Sequence, residues 1–123
     1  KKIAKPANLR FSMEFLAMDA EAHQKKVTMP AHTLLKSAHS GNPMPDGLNS
    51  SHQALWLEQS GEWHKAHDMC ESVPAPAGSW IHAYLHRVEG DLSNASYWYQ
   101  RAHKEMPTCS LDQEWLQLAE ELA

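Results

Sequence analysis

Histidine is the outlier of this sequence, at nine of 123 residues. His64 and His67 stand three apart, and His82 and His86 stand four apart. On a helix, both spacings set two imidazoles on one face, which is how helices present ligands to a metal. Neutral imidazole suits zinc, copper or nickel. One chemistry open to the chain is therefore a divalent transition metal held by His67, His82 and His86, with Glu58, Glu89 or Asp91 supplying a carboxylate. In a competing reading no cofactor is bound. His82 and His86 are then solvated or hydrogen-bonded to nearby carboxylates, and His67 is a satisfied core histidine. The absence of an HExxH phrase and of a cysteine cluster favours that second reading. General acid–base work by His86 with Glu89 is a further option, but any helix with these residues offers it equally.

Two other groups of residues carry possible chemistry. Cys70 follows His67 by three, a spacing that permits a nucleophile and its base, yet its place on a helical apolar stripe predicts an inert buried thiol. In the run Tyr97-Trp98-Tyr99 only part of three consecutive residues can face inward on a helix. Tyr99, with some of Trp98, is expected in the core, which leaves Tyr97 at the surface beside Arg101. Either all three aromatics serve packing, or Tyr97, Trp98 and Arg101 form a patch for a peptide or small ligand. Gly-rich phosphate loops, the GxSxG elbow and basic–aromatic nucleic-acid stripes are missing.

These residues must be positioned by helices. Phe11, Phe15, Met18 and Ala22 recur at helical spacing from about residue 8 to 27, after a basic, Pro-containing arm at 1–7. Thr28 and Pro30 restart the chain, and Leu34, Leu35 and Ala38 give a short helix. Residues 40–49 form a loop broken by Pro and Gly. Residues 51–59 carry Leu55 and Trp56, Gly61 turns the chain, and 62–72 carry Trp63, Ala66 and Cys70. The stretch 73–78, VPAPAG, is expected to break the helix. Trp80, Ile81, Tyr84, Leu85 and Val88 then share one side of a helix, with His82 and His86 opposite. Gly90 turns, Asp91 caps, and Leu92, Ala95, Tyr99, Ala102 and Met106 line the next helix. A capping box at Ser110–Gln113 opens a last helix with Leu111, Trp115, Leu118 and Leu122. No alternating strand pattern competes.

The two hairpins superimpose 29 residues apart: Ala54, Gly61 and Ala66 match Ala83, Gly90 and Ala95. With Tyr99, Ala102 and Pro107 at the later positions, the second unit resembles a tetratricopeptide-like helical repeat, whose usual period is about 34 residues. The phrases LWLEQSGEWHKAHDMCES and WIHAYLHRVEGDLSNASYWYQRA are also similar to the core of a bacterial family of small uncharacterised proteins, over residues 55–102. That resemblance implies a fold and leaves the activity open.

Length and charge set the outer bounds. The chain is long enough for one core. Its net charge of -4 argues against nucleic acid as partner. Residues 1–40 carry +4 and residues 41–123 carry -8, a division that suits an acidic partner or self-association. Two isolated cysteines, no membrane-length apolar run and no apolar stretch after Lys1-Lys2 make the cytoplasm the expected compartment. The prediction is a single all-α domain, a tetratricopeptide-like right-handed helical hairpin stack of about seven helices. It comprises an arm (1–7), N-terminal helices (8–40), two hairpins (50–106) and a capping helix (110–122). The expected function is a soluble, non-catalytic module for an unidentified protein or peptide partner, with a homo-oligomer possible. The alternative is a His-rich metal- or small-ligand-binding protein, with or without catalysis.

Overall fold

The computed structural model describes residues 29–123. The expected arm at 1–7 and helix at 8–27 lie outside the described residues. Among the described residues there are six helices and no strand: α1 (Ala31–Ala38), α2 (Ser50–Gln59), α3 (Trp63–Cys70), α4 (Ala77–Val88), α5 (Leu92–Arg101) and α6 (Leu111–Glu121). Helices α2 and α3 pair as one hairpin and α4 and α5 as a second. Helix α4 also packs on α2, α3 and α6, while α1 and α6 close the ends against α2 and each other.

Local sequence signals account for the element boundaries. Asn49 caps α2 by accepting the His52 amide at 2.7 Å, and Asp91 caps α5 by accepting the Asn94 amide at 3.3 Å. Ser110 and Gln113 complete a reciprocal capping box on α6. The two hairpin turns are equivalent in detail. Gly61 and Gly90 have φ of +97° and +84°. The next amide reaches back across each turn, Glu62 to the Leu57 carbonyl at 2.9 Å and Asp91 to the His86 carbonyl at 3.0 Å. Ala54, Ala66, Ala83 and Ala95 are all fully buried where the paired helices approach.

Three expectations need correction. Helix α4 begins at Ala77, so Gly78 lies inside it rather than ending a break. A Cβ built on Gly78 would stand 2.0 Å from the Val73 carbonyl oxygen, so this glycine is required for the close approach of two backbone segments. The apolar stripe on α5 is buried only in its middle. Leu92 is exposed at the hairpin tip, and Met106 lies beyond the helix end, where His103 turns the chain at φ +58°. Leu111, likewise expected inward, is exposed.

Helix α4 is buried from Gly78 through His86 without a break. Two of its polar side chains, Trp80 and Arg87, meet a carboxylate on α6. Glu114 of α6 accepts from the Tyr99 hydroxyl at 2.6 Å, from Trp80 Nε1 at 3.1 Å and from Arg87 Nη1 at 2.8 Å. Arg87 also donates to the Cys109 carbonyl. One buried acid thereby ties α4, α5 and α6 together, and breaking such a buried pair costs about 3–5 kcal/mol.

The glycines give the sharpest test of this packing. Gly90→Val is expected to lower stability by at least ~1 kcal/mol through the left-handed backbone. Gly78→Ala is expected to lower it by about 2 kcal/mol through overpacking. Denaturant melts of both variants check this, and an unchanged midpoint for Gly78→Ala would remove the close-approach assignment.

Candidate metal centre

His67 comes from α3, and His82 and His86 lie one turn apart on α4. Packing of α3 against α4 brings the three together, with one donor nitrogen of each within 4.8 Å of the others. The Nε2 atoms of His67 and His82 are 2.8 Å apart, so one ring donates a hydrogen bond to the other. His86 Nδ1 lies 2.6 Å from Glu89 Oε1. A carboxylate only accepts, so Nδ1 carries a proton, and in the neutral ring the lone pair is on Nε2. This is the arrangement in which an outer carboxylate fixes the tautomer of a ligating histidine.

Indole rings enclose the imidazoles on two sides. Trp63 stacks on His67 with centroids 5.1 Å apart, and Trp98 stacks on His82 at 3.9 Å and 11°. Trp63 Nε1 is itself held by the Leu85 carbonyl at 2.8 Å. His82 and His86 are only 9% and 7% exposed, which overturns the reading of both as solvated residues. The face opposite the apolar stripe is covered by α3 and α5 rather than by water. The hydrogen bond from His86 to Glu89 does agree with the carboxylate-paired version of that reading.

The other candidates fall elsewhere. His64 is exposed at the edge of Trp63 and takes no part in the cluster. Glu58 accepts from the Tyr84 hydroxyl at 3.0 Å, and burial raises its pKa. Asp91 caps α5, although its carboxylate, Glu89 and His86 also bring donor atoms within 4.8 Å of one another. The Cys70 thiol is buried, donates to the His67 carbonyl oxygen at 3.1 Å, and has its pKa pushed up to about 12 by desolvation. It is a poor nucleophile.

The aromatic patch divides as its spacing requires. Tyr99 is buried on Glu114 and Tyr97 is 52% exposed. The Arg101 guanidinium lies 5.4 Å from the Trp98 ring centroid and 5.6 Å from that of Tyr97. Trp98 thus belongs to both candidate sites, which the sequence presented as separate. Cavities of about 220 and 280 Å³ open beside Trp80 and Lys104, and neither is lined by the three histidines. Trp63 stands four residues before His67 on α3, so that pair is legible in the spacing, whereas Trp98 had no sequence signal as a partner of His82, because stacking between α4 and α5 depends on tertiary register.

No protein-family model, curated protein or solved structure matches the chain. Among the described residues no helix is long and apolar enough to cross a membrane.

Burial, and then the neighbouring His67 and His86, lower the His82 pKa from 6.5 to about 4. The unfolded chain therefore takes up this proton near pH 6.5 while the folded protein resists it until about pH 4. The resulting stability is fully present above pH 6.5 and is lost as pH falls towards 4, with a slope of up to about 1.4 kcal/mol per pH unit. Urea melts across this window, in chelator, should show that loss. His82→Gln should flatten it, and an equally steep decline in the variant would assign the effect to other groups.

Proposed function

We propose that this protein binds a divalent transition metal through His67, His82 and His86, on a tetratricopeptide-like right-handed stack of helical hairpins. The observation that carries the reading is the convergence of three imidazoles from two packed helices within 4.8 Å. A tetrahedral zinc ion with Zn–N bonds of about 2.0–2.1 Å needs nitrogens about 3.3 Å apart. The His67 and His82 nitrogens are 2.8 Å apart and all three donor atoms lie within 4.8 Å of one another, close to the spacing such an ion requires. His82 is already held neutral, the form that ligates. Glu89 orients His86. Zinc, copper and nickel all suit three imidazoles.

The repeat assignment is supported by the two equivalent turns and by α4 packing on both α2 and α3, which places the second hairpin against the first. Membership of the bacterial family with the LWLEQSGEWHKAHDMCES and WIHAYLHRVEGDLSNASYWYQRA phrases is part of this proposal and rests on those two phrases alone.

Tag-free protein should gain stability with Zn(II) or Ni(II), by about 2.7 kcal/mol at a hundredfold excess over Kd. His82→Ala combined with His86→Ala should abolish the gain, whereas His64→Ala should retain it. Metal-independent melting of the parent protein, or a gain that survives the double variant, overturns the assignment.

The exposed Tyr97 beside Arg101 favours a second reading, a contact surface for a protein or peptide partner. Tyr99→Ala should cost ~3 kcal/mol or more by leaving a cavity. Tyr97→Ala should cost less than ~1 kcal/mol. If thermal melts show Tyr97→Ala as damaging as Tyr99→Ala, Tyr97 is a packing residue and this second reading loses its best anchor.

A further inference from the structure

The three imidazoles are uncharged donors, so an ion held by them keeps its full double charge. Glu89 offsets that charge only through the His86 ring, at 2.6 Å from Nδ1. Among the described residues the three-histidine cluster offers three ligand atoms. The other soft donor near it, the Cys70 thiol, is turned to the His67 carbonyl oxygen. A four-coordinate ion with three protein ligands leaves one position for water or substrate.

That position has a way in. His67, Trp63 and Trp98 are each half-buried, so the rim of the cluster meets solvent. A cation waits at this rim. Arg101 is exposed and its guanidinium sits 5.4 Å from the Trp98 centroid, while Trp98 stacks on His82 at 3.9 Å. Its Nη1 reaches the Tyr97 hydroxyl at a long 3.4 Å and forms no ion pair with a carboxylate among the described residues. The Trp98 indole is thus a shared neighbour of the Arg101 guanidinium and the His82 ring. A planar fork of N–H donors is suited to carboxylate and other oxyanions.

We propose that the metal centre keeps an open fourth position that takes a small free anion, of the carboxylate or oxyanion class, with Arg101 binding its outer oxygens. Binding replaces a metal-bound water by the anion, with no change of oxidation state. This inference rests on the metal reading above and deepens it.

Cobalt(II) separates the two, because its visible ligand-field absorption reports both loading and coordination. Tag-free full-length protein is first saturated with Co(II) and then titrated with sodium azide and, separately, sodium acetate. Saturable changes in the Co(II) bands with both anions are expected. Arg101→Ala, studied at saturating Co(II), should weaken acetate by about tenfold, with partial recovery in Arg101→Lys. Bands that form on loading but do not move with either anion mean that the fourth position is filled from the protein, and the inference fails while the metal site stands. Anion binding that is equally tight in Arg101→Ala removes Arg101 from the site. Absence of Co(II) binding, or binding that persists when His82 and His86 are both alanine, sinks the metal reading itself.

Discussion

A helix packed on every side has no face on which to leave a polar group to water. Helix α4 is in this position, buried from Gly78 to His86 and covered by α2, α3, α5 and α6. An unsatisfied buried polar group costs about 1–3 kcal/mol, so each one on this helix needs a partner inside the protein. Trp80 finds Glu114, Tyr84 finds Glu58, His82 finds His67 and His86 finds Glu89. These partners lie on α6, α2, α3 and the turn after α4. Satisfying α4 therefore fixes where its neighbours must sit.

The two sides of α4 solve the same problem with opposite chemistry. On the α6 side the solution is a charged knot, in which Glu114 accepts from Tyr99, Trp80 and Arg87. Tyr99 is pushed up in pKa by desolvation and by that carboxylate, so its hydroxyl stays a donor and the knot stays closed. On the α3 side the groups are imidazoles packed against indoles, with His82 held neutral by burial. Where one imidazole donates Nε2–H to the Nε2 of another, the donating ring in its neutral form keeps an Nδ1 lone pair. The first side spends its polar groups on stability, whereas the second keeps donors in reserve. That contrast separates a structural cluster from one able to take a ligand.

Much of the fold was legible because short-range rules govern it. Gly61 and Gly90, Asn49, Asp91 and Ser110 mark turns and caps through local hydrogen bonding, and the structure uses Gly61, Gly90, Asp91 and Ser110 as their positions suggest. Asn49 ends the stretch whose Pro and Gly content predicts a loop, and it caps α2. The histidine spacing was legible for a similar reason, since i,i+3 and i,i+4 relations are set within one helix. What the sequence concealed is whatever depends on a second element. The helical wheel put His82 and His86 opposite an apolar stripe without revealing that α3 and α5 cover that side. Glu114 looked like an ordinary acid in the first turn of a helix, where the dipole favours negative charge. One cue was present: with Trp115 and Leu118 it lies on the inward stripe of α6 by helical spacing. An acid on such a stripe calls for an Arg and a Tyr elsewhere, here Arg87 and Tyr99.

The placement of the histidines also bears on how binding relates to the fold. His67 belongs to the first hairpin and His82 and His86 to the second, so the cluster spans the junction between two otherwise similar units. Two units bury less shared surface than the three usually needed for a free-standing stack. Here α1 and α6 add the missing cover. An ion bound by all three rings would cross-link the hairpins where the connection depends on side-chain packing rather than on backbone hydrogen bonds. Its binding energy would appear as resistance to hairpin separation, because the separated hairpins retain at most two of the three ligands. The same coupling runs in reverse: whatever loosens α3 from α4 would weaken the hold of all three rings on such an ion.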